Sequence, residues 1–170
     1  MPITIRPITA TDWPAVWPIL QQTFASGDSY PFPPDSSEAD IRHAWLDVPQ
    51  QTFVACAEDG AIVGTYYIKP NQTGLGSHVC NCGYVVAPAA SGRGIATTMC
   101  VHSQATALAL GFRAMQFNLV VATNTRAVRL WRHLGFEQVG VLPGAFRHAR
   151  LGYVDALVLF KTLSPQEVKV

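Results

Sequence analysis

The sequence predicts an α/β domain on a mixed sheet, and three observations carry that prediction. Strand-like and helix-like segments alternate along most of the 170 residues, the pattern of a sheet covered by helices. Asp59-Gly60 stands between two β-rich runs as a short hairpin signal, which makes part of the sheet antiparallel. Gly92-Arg93-Gly94 joins a β-branched run to a long helix, and another strand follows, so the second half reads β-α-β.

Taken in order, residues 3–8 (ITIRPI) alternate apolar and polar side chains and predict a strand. Thr11 or Asp12 can cap the helix that follows, with Pro14 in its first turn, where a missing N–H costs least. Pro18 predicts a kink or a later start. Residues 25–38 (ASGDSYPFPPDSSE) are polar and Pro-rich and predict irregular chain. Residues 36–47 predict a second helix capped by Ser36 or Ser37. Residues 51–59 and 61–70 are the hairpin strands, and a loop over 70–76 leads to a strand over 77–88 that Pro88 ends. Ile95 through Leu110 contains no Pro or Gly and predicts one helix, with Gly111 as its C-cap. Residues 113–121 predict a strand and 124–134 a short helix ending at Gly135. Residues 136–142 and 154–161 close the sequence as two strands joined by a loop over 143–153. The count is about seven strands and about four helices.

Length and composition bound the class. A chain of 170 residues, 49% apolar and 14% charged, predicts one domain over 1–170 with a sizeable core. A net charge of +1 gives no reason to expect nucleic acid or a membrane surface as a partner. No apolar run reaches the roughly 18 residues of a membrane span. The first residues lack the charged-then-apolar order of a signal peptide, so the expected compartment is the cytoplasm. Cys80 and Cys82 alternate onto one strand face, and no second Cys/His pair supplies metal-ligand spacing. With Cys56 and Cys100 they predict buried, reduced thiols and no metal.

The stretch VVAPAASGRGIATTM (85–99) is the most informative. Gly92 and Gly94 fall where the chain enters a helix, whose first N–H groups lack partners and whose dipole favours an anion. Glycines let a ligand approach those groups without a Cβ in the way. A nucleotide P-loop needs Lys-Ser/Thr after the last glycine, and Ile95-Ala96 stands there. A dinucleotide fingerprint needs a third glycine, and Thr97 stands there.

Val86-x-Pro88-x-x-x-Gly92-x-Gly94-Ile95-Ala96 resembles motif A of the GNAT superfamily of acyl-CoA-dependent N-acetyltransferases. Asn124-x-x-Ala127-x-x-Leu130-Trp131-x-x-x-Gly135-Phe136 resembles its motif B, and the similarity covers essentially the whole chain. The resemblance implies a sheet splayed between the strands at 77–87 and 113–121, with acetyl-CoA as co-substrate held by a core at about 77–142. Residues Ser91, Gly92, Arg93, Gly94, Ile95 and Ala96 are implied to hold its pyrophosphate, with Arg93 adding charge. Val85 and Val86 are implied to line the pantetheine arm, with a backbone N–H near Tyr84–Val86, approximately Val85, as the donor to the thioester oxygen. Asn124, Ala127 and Trp131 are implied to flank the arm. Two positions depart from the family pattern. Ser91 stands where Gln or Arg is frequent. Trp131 stands where a Tyr often protonates the leaving thiolate, and an indole N–H is no acid near neutral pH, so Trp131 reads as a wall of the acyl tunnel.

Many relatives carry a Glu on the strand before motif A, yet residues 77–88 offer no carboxylate. TYYIKPNQTGLGSHVCNCGY, FNLVVATNTRAVRLWRHLGF and GYVDALV are similar to fungal acetyltransferases acting on azetidine-2-carboxylate and related proline-like amines. That similarity implies Asn81 and Asn118 facing the acceptor as catalytic and substrate contacts, Asn124 toward the cofactor, and direct attack by the neutral amine. His78 is the alternative base. Asn118 in an apolar strand is costly if buried without a partner, so it either bonds neighbouring backbone or serves the site, and Asn81 admits both readings. Tyr30 and Phe32, in the loop 27–34, form a lid or pack over the core. Arg147, His148 and Arg150 either pair a substrate carboxylate or lie in a solvated loop.

The expected activity is acetyl transfer from acetyl-CoA to a small-molecule amine, an amino acid or a proline-like secondary amine, in a detoxifying role. The alternatives are a peptide or protein N-terminal acetyltransferase and a non-catalytic acyl-CoA sensor. Sheet edges make dimers in this superfamily, so a homodimer is admitted.

Overall fold

The computed structural model describes residues 2–164; residues 1 and 165–170 of the expected 1–170 domain lie outside the described residues. Within these bounds seven strands form one sheet: β1 (Thr4–Pro7), β2 (Gln51–Cys56), β3 (Ile62–Pro70), β4 (Val79–Val86), β5 (Ala114–Val121), β6 (Glu137–His148) and β7 (Gly152–Thr162), in the order β1-β2-β3-β4-β5-β7-β6. Neighbours are antiparallel except β4 and β5, which run parallel. The helices are α1 (Trp13–Ala25), α2 (Glu38–Arg42), α3 (Ile95–Ala109) and α4 (Thr125–His133).

Local chemistry explains most boundaries. The Asp59-Gly60 hairpin forms, with Gly60 at φ +83° and the Asp59 carboxylate accepting from Ala61 N–H. Ser37 caps α2, its hydroxyl accepting from Asp40 N–H at 3.1 Å, and α2 runs on into a π-helical turn over His43–Asp47. Asp12 is not a simple cap. Its carboxylate accepts from Thr9 N–H and the Thr9 hydroxyl and takes both Arg6 guanidinium nitrogens, at 2.7 and 2.8 Å. Pro18 lies inside α1.

One expectation fails. The predicted loop over 143–153 is largely strand: β6 extends to His148, and the connection is the short turn before Gly152. Pro143 and Gly144 misled the prediction. β6 is an edge strand whose register against β7 shifts between Leu142 and Phe146, and an edge or bulge is where Pro is tolerated.

Each face of the sheet carries a core. Trp13, Val16, Leu20 and Phe24 of α1, with Ile41 and Trp45, pack against Val54 and Val85. Met99, Cys100 and Ala107 of α3, with Val128 and Trp131 of α4, pack against Tyr66, Ile68, Cys80, Met115 and Leu159. Side-chain alternation along β4 therefore sends Cys80, Cys82 and Tyr84 toward α3 and α4, and Asn81 and Val85 toward α1 and α2. All four cysteines are buried with free thiols. No helix among the described residues is long and apolar enough to cross a membrane.

Candidate active site

The turn entering α3 has the chemistry of an anion seat. Gly92 and Gly94 both take positive φ, +86° and +77°, a conformation that L side chains resist. The first intrahelical bond runs from Thr98 N–H to Gly94 C=O, so the N–H groups of Ile95, Ala96 and Thr97 have no helical partner. Two guanidinium groups join them: Arg126 and Arg129 of α4 line the same cavity of about 520 Å³, with Ser91, Gly92, Gly94, Ala96 and Thr97. Arg126 Nη1 donates to Ser91 Oγ at 2.8 Å. The position where the family frequently has Gln or Arg is thus occupied by a serine holding an arginine from the next helix. Free amides, two cations and glycine backbone fit the diphosphate of CoA. Arg93, expected to add charge, is exposed and does not line this cavity.

The splay lies where expected. β4 and β5 pair only at Val79↔Ala114 and Cys80↔Met115. In a continuing parallel ladder the Gln116 carbonyl would accept from Cys82 N–H. Instead the Asn81 side chain takes it, Nδ2 donating at 2.9 Å, and beyond that point the strands diverge. β5 adds a bulge, its register against β7 shifting between Phe117 and Val120.

Which β4 amides face the gap follows from alternation. Ala87 N–H donates to Val63 C=O, and Asn71 N–H donates to Val79 C=O, so odd-numbered residues of β4 direct their backbone groups to β3. Val85, opposite Thr65, is among them. Its N–H therefore faces β3 and its side chain packs in the α1 core, which corrects its expected place as the thioester-oxygen donor. The N–H groups facing the gap are those of Cys82, Tyr84 and Val86. The Tyr84 carbonyl on that side accepts from the Tyr30 hydroxyl at 2.8 Å.

A second cavity, of about 360 Å³, opens through the gap to the α1–α2 face. Asn81, Asn118, Tyr30 and Phe32 line it, and so does Asn124, which was expected toward the cofactor. Tyr84, Asn124, Ala127 and Trp131 line both cavities, which therefore adjoin. Trp131 packs against Tyr84 and Phe117 with ring centroids 5.1 and 5.0 Å away, consistent with a tunnel wall. Asn124 caps α4, its Oδ1 accepting from Ala127 N–H at 3.2 Å. Asn118 is exposed on β5, where the register against β7 shifts. It bonds side chains and not backbone: Nδ2 donates to Asn71 Oδ1 at 2.7 Å, and Oδ1 accepts from Gln116 Nε2 at 2.9 Å.

Gly83 is required by close approach. A Cβ there would lie 2.6 Å from Cε1 of Tyr67, whose ring stands edge-on to Trp45 at 4.8 Å. Desolvation raises the Tyr67 hydroxyl to about 12 and pushes those of Tyr30 and Tyr84 well above their ordinary value. The three phenols therefore stay protonated near neutral pH.

His78 does not reach the site. It is exposed, just before β4, and does not line the cavity. Arg147 and His148 line a neighbouring cavity of about 500 Å³ that shares Tyr30, Pro31 and Phe32. His148 Nδ1 accepts from the N–H groups of Arg150 and Leu151, so it organises the β6–β7 turn. Sequence reasoning missed Tyr67, Lys69, Arg126 and Arg129. Arg126 and Arg129 fall at i, i+3 on one helix face next to the capping Asn124, a signal that was available. Lys69 carried none.

Known proteins share this fold. The sequence pattern of the Acetyltransferase (GNAT) family matches residues 13–136. The N-acetyltransferase aca1 of Schizosaccharomyces pombe is 39% identical over 99 residues, 58% of this chain and 47% of that one, so the chain spans about half of that relative. A GCN5-related N-acetyltransferase from Kribbella flavida has a TM-score of 0.90 at 38% identity, covering 95% of this chain and 98% of that one. A phosphinothricin acetyltransferase from Sinorhizobium meliloti, solved with AcCoA, shares the fold at a TM-score of 0.84 and 22% identity, covering 96% and 90%. The chain belongs to the GNAT family of acetyl-CoA-dependent N-acetyltransferases.

Proposed function

We propose that this enzyme acetylates the amine of a small molecule, an amino acid or a proline-like secondary amine, without a carboxylate base. One observation carries the reading: the cavity beyond the splay holds three asparagines, two tyrosines besides Tyr84, and no Asp, Glu or His. The loop 27–34 covers it, tied down by the Tyr30–Tyr84 bond and by Ala149 N–H donating to Gly27 C=O at 2.9 Å. Such a covered entrance favours a small acceptor over a polypeptide end.

Acetyl-CoA, when bound, supplies a thioester carbon to the amine. The α3 amides with Arg126 and Arg129 hold the diphosphate end. Tyr84 and Val86 offer N–H groups to the thioester oxygen as negative charge builds, the pre-organised stabilisation worth most in a water-poor site. Asn118 and Asn124 orient the acceptor nitrogen, and Asn81 keeps the gap open. The attacking amine is already neutral, the new N–C bond forms as the C–S bond breaks, and the nitrogen's proton leaves to water. Proximity alone supplies several kcal/mol.

Thiol release measured with azetidine-2-carboxylate, proline, primary amino acids, a peptide N-terminus and an amine-free blank tests the reading. Release with the small amino acids and not the peptide is expected; release with the peptide alone overturns it. His78→Ala is expected to leave the pH–rate profile unchanged, its rise following the amine's own pKa. Loss of a limb near neutral pH would show a histidine base.

A further inference from the structure

Among the side chains lining the acceptor cavity, one carries a formal charge: Lys69. It stands opposite Asn81 in the β3–β4 register, and such cross-strand pairs share a face with Cβ atoms about 5 Å apart. Its Nζ lies 5.4 Å from the Tyr67 ring centroid. The side-chain ion pairs among the described residues are Arg6–Asp12 and His43–Asp47, so Lys69 pairs with no described carboxylate. A half-buried lysine lining a cavity, its ammonium beside an aromatic ring and paired with no described carboxylate, is suited to an anion from outside the chain.

We propose that Lys69 holds the carboxylate of the acceptor, which makes the substrate class an α-amino or α-imino acid whose nitrogen and carboxylate sit a few atoms apart. This rests on the reading of the cavity as the acceptor site. Lys69 binds one end of the substrate at the β3 side, and Asn118 and Asn124 meet the nitrogen across the gap. Arg147 is the competing cation, but it lines the neighbouring cavity, with Tyr30 to Phe32 between the two. The arrangement also explains how a site without a base works. With a fixed positive charge nearby and no carboxylate to stabilise an ammonium, the bound nitrogen favours its neutral form.

Initial rates with azetidine-2-carboxylate and with azetidine, the same ring without the carboxylate, test this in wild type, Lys69→Met and Lys69→Arg. Lys69→Met is expected to raise KM for azetidine-2-carboxylate roughly 10-fold or more, the loss of a charge-assisted hydrogen bond. It is expected to leave KM for azetidine within about two-fold and to move upward the rising limb of the kcat profile for azetidine-2-carboxylate, the limb that reports the bound amine. Lys69→Arg restores most of the affinity. Equal losses for both amines, or an unchanged KM for the carboxylate-bearing one, overturns the assignment. If no amine supports turnover, the acetyl-transfer reading fails by itself, and calorimetric titration of azetidine-2-carboxylate into the CoA-loaded protein decides Lys69 separately. Binding lost in Lys69→Met supports the assignment. Binding indifferent to the substitution, or absent in wild type, refutes it.

Discussion

Asn81 shows how a single residue shapes the site. Its side chain occupies the Gln116 carbonyl that the next rung of the β4–β5 ladder would use. In Asn81→Ala that carbonyl becomes free for Cys82 N–H, and the strands can zip further. The expected outcome is a clear loss of acetyl-CoA affinity, measured by calorimetry, together with a lowered kcat/KM. A residue that touched only the acceptor would leave acetyl-CoA binding unchanged. Gly83 gives a packing counterpart. Gly83→Ala places a Cβ 2.6 Å from the Tyr67 ring, and because Trp45 backs that ring the clash has no easy escape. Overpacking of this kind costs about 1–3 kcal/mol, which a shift in the urea midpoint reads, and the displaced Tyr67 intrudes on the acceptor cavity.

At the scale of elements, the anion seat belongs to two helices. α3 supplies unpaired amides and α4 supplies Arg126 and Arg129, with Ser91 fixing Arg126. Arg126→Ala is therefore expected to raise the Kd for acetyl-CoA roughly 10-fold, the loss of one charge-assisted hydrogen bond, while Arg93→Ala changes it less than about two-fold. Equal effects in a titration would return Arg93 to the seat. This contrast also marks what the sequence could show. Regular elements were legible because periodicity and caps are local: Ser37, the Asp59-Gly60 hairpin and Ile95–Ala109 fall where their chemistry predicts. The seat was legible because its glycines sit in one turn. β6 was misread because Pro143 is excluded from a paired interior strand but not from a shifted edge, and edge position is a property of the whole sheet. Lys69 was missed for the same reason. A lysine ending a strand looks like any solvated charge until the fold places β3 beside the splay and the loop 27–34 over it.

At the scale of the molecule, the splay lies mid-sheet, between β4 and β5, while β1 closes one edge. That edge is fastened to α1 by the bidentate Arg6–Asp12 pair, with Thr9 donating twice more to the same carboxylate. The Arg6 guanidinium holds the Asp12 carboxyl far below its ordinary 3.8. A carboxyl depressed in the folded state binds protons more readily in the unfolded chain, so its contribution is full above about pH 4 and is lost as pH falls toward its folded value. Wild type is accordingly expected to hold its urea midpoint from neutral pH to about 5 and to lose stability steeply below about 4. Asp12→Asn removes the pair at every pH. It is expected to lower the urea midpoint at pH 7 and to flatten the acid limb, so that the two curves converge in acid. Because the pair sits three strands from the splay, acetyl-CoA affinity in the folded variant stays at the wild-type value. A variant that lost affinity in proportion to its stability would mean that the α1 layer, and not only β4 and β5, sets the width of the gap.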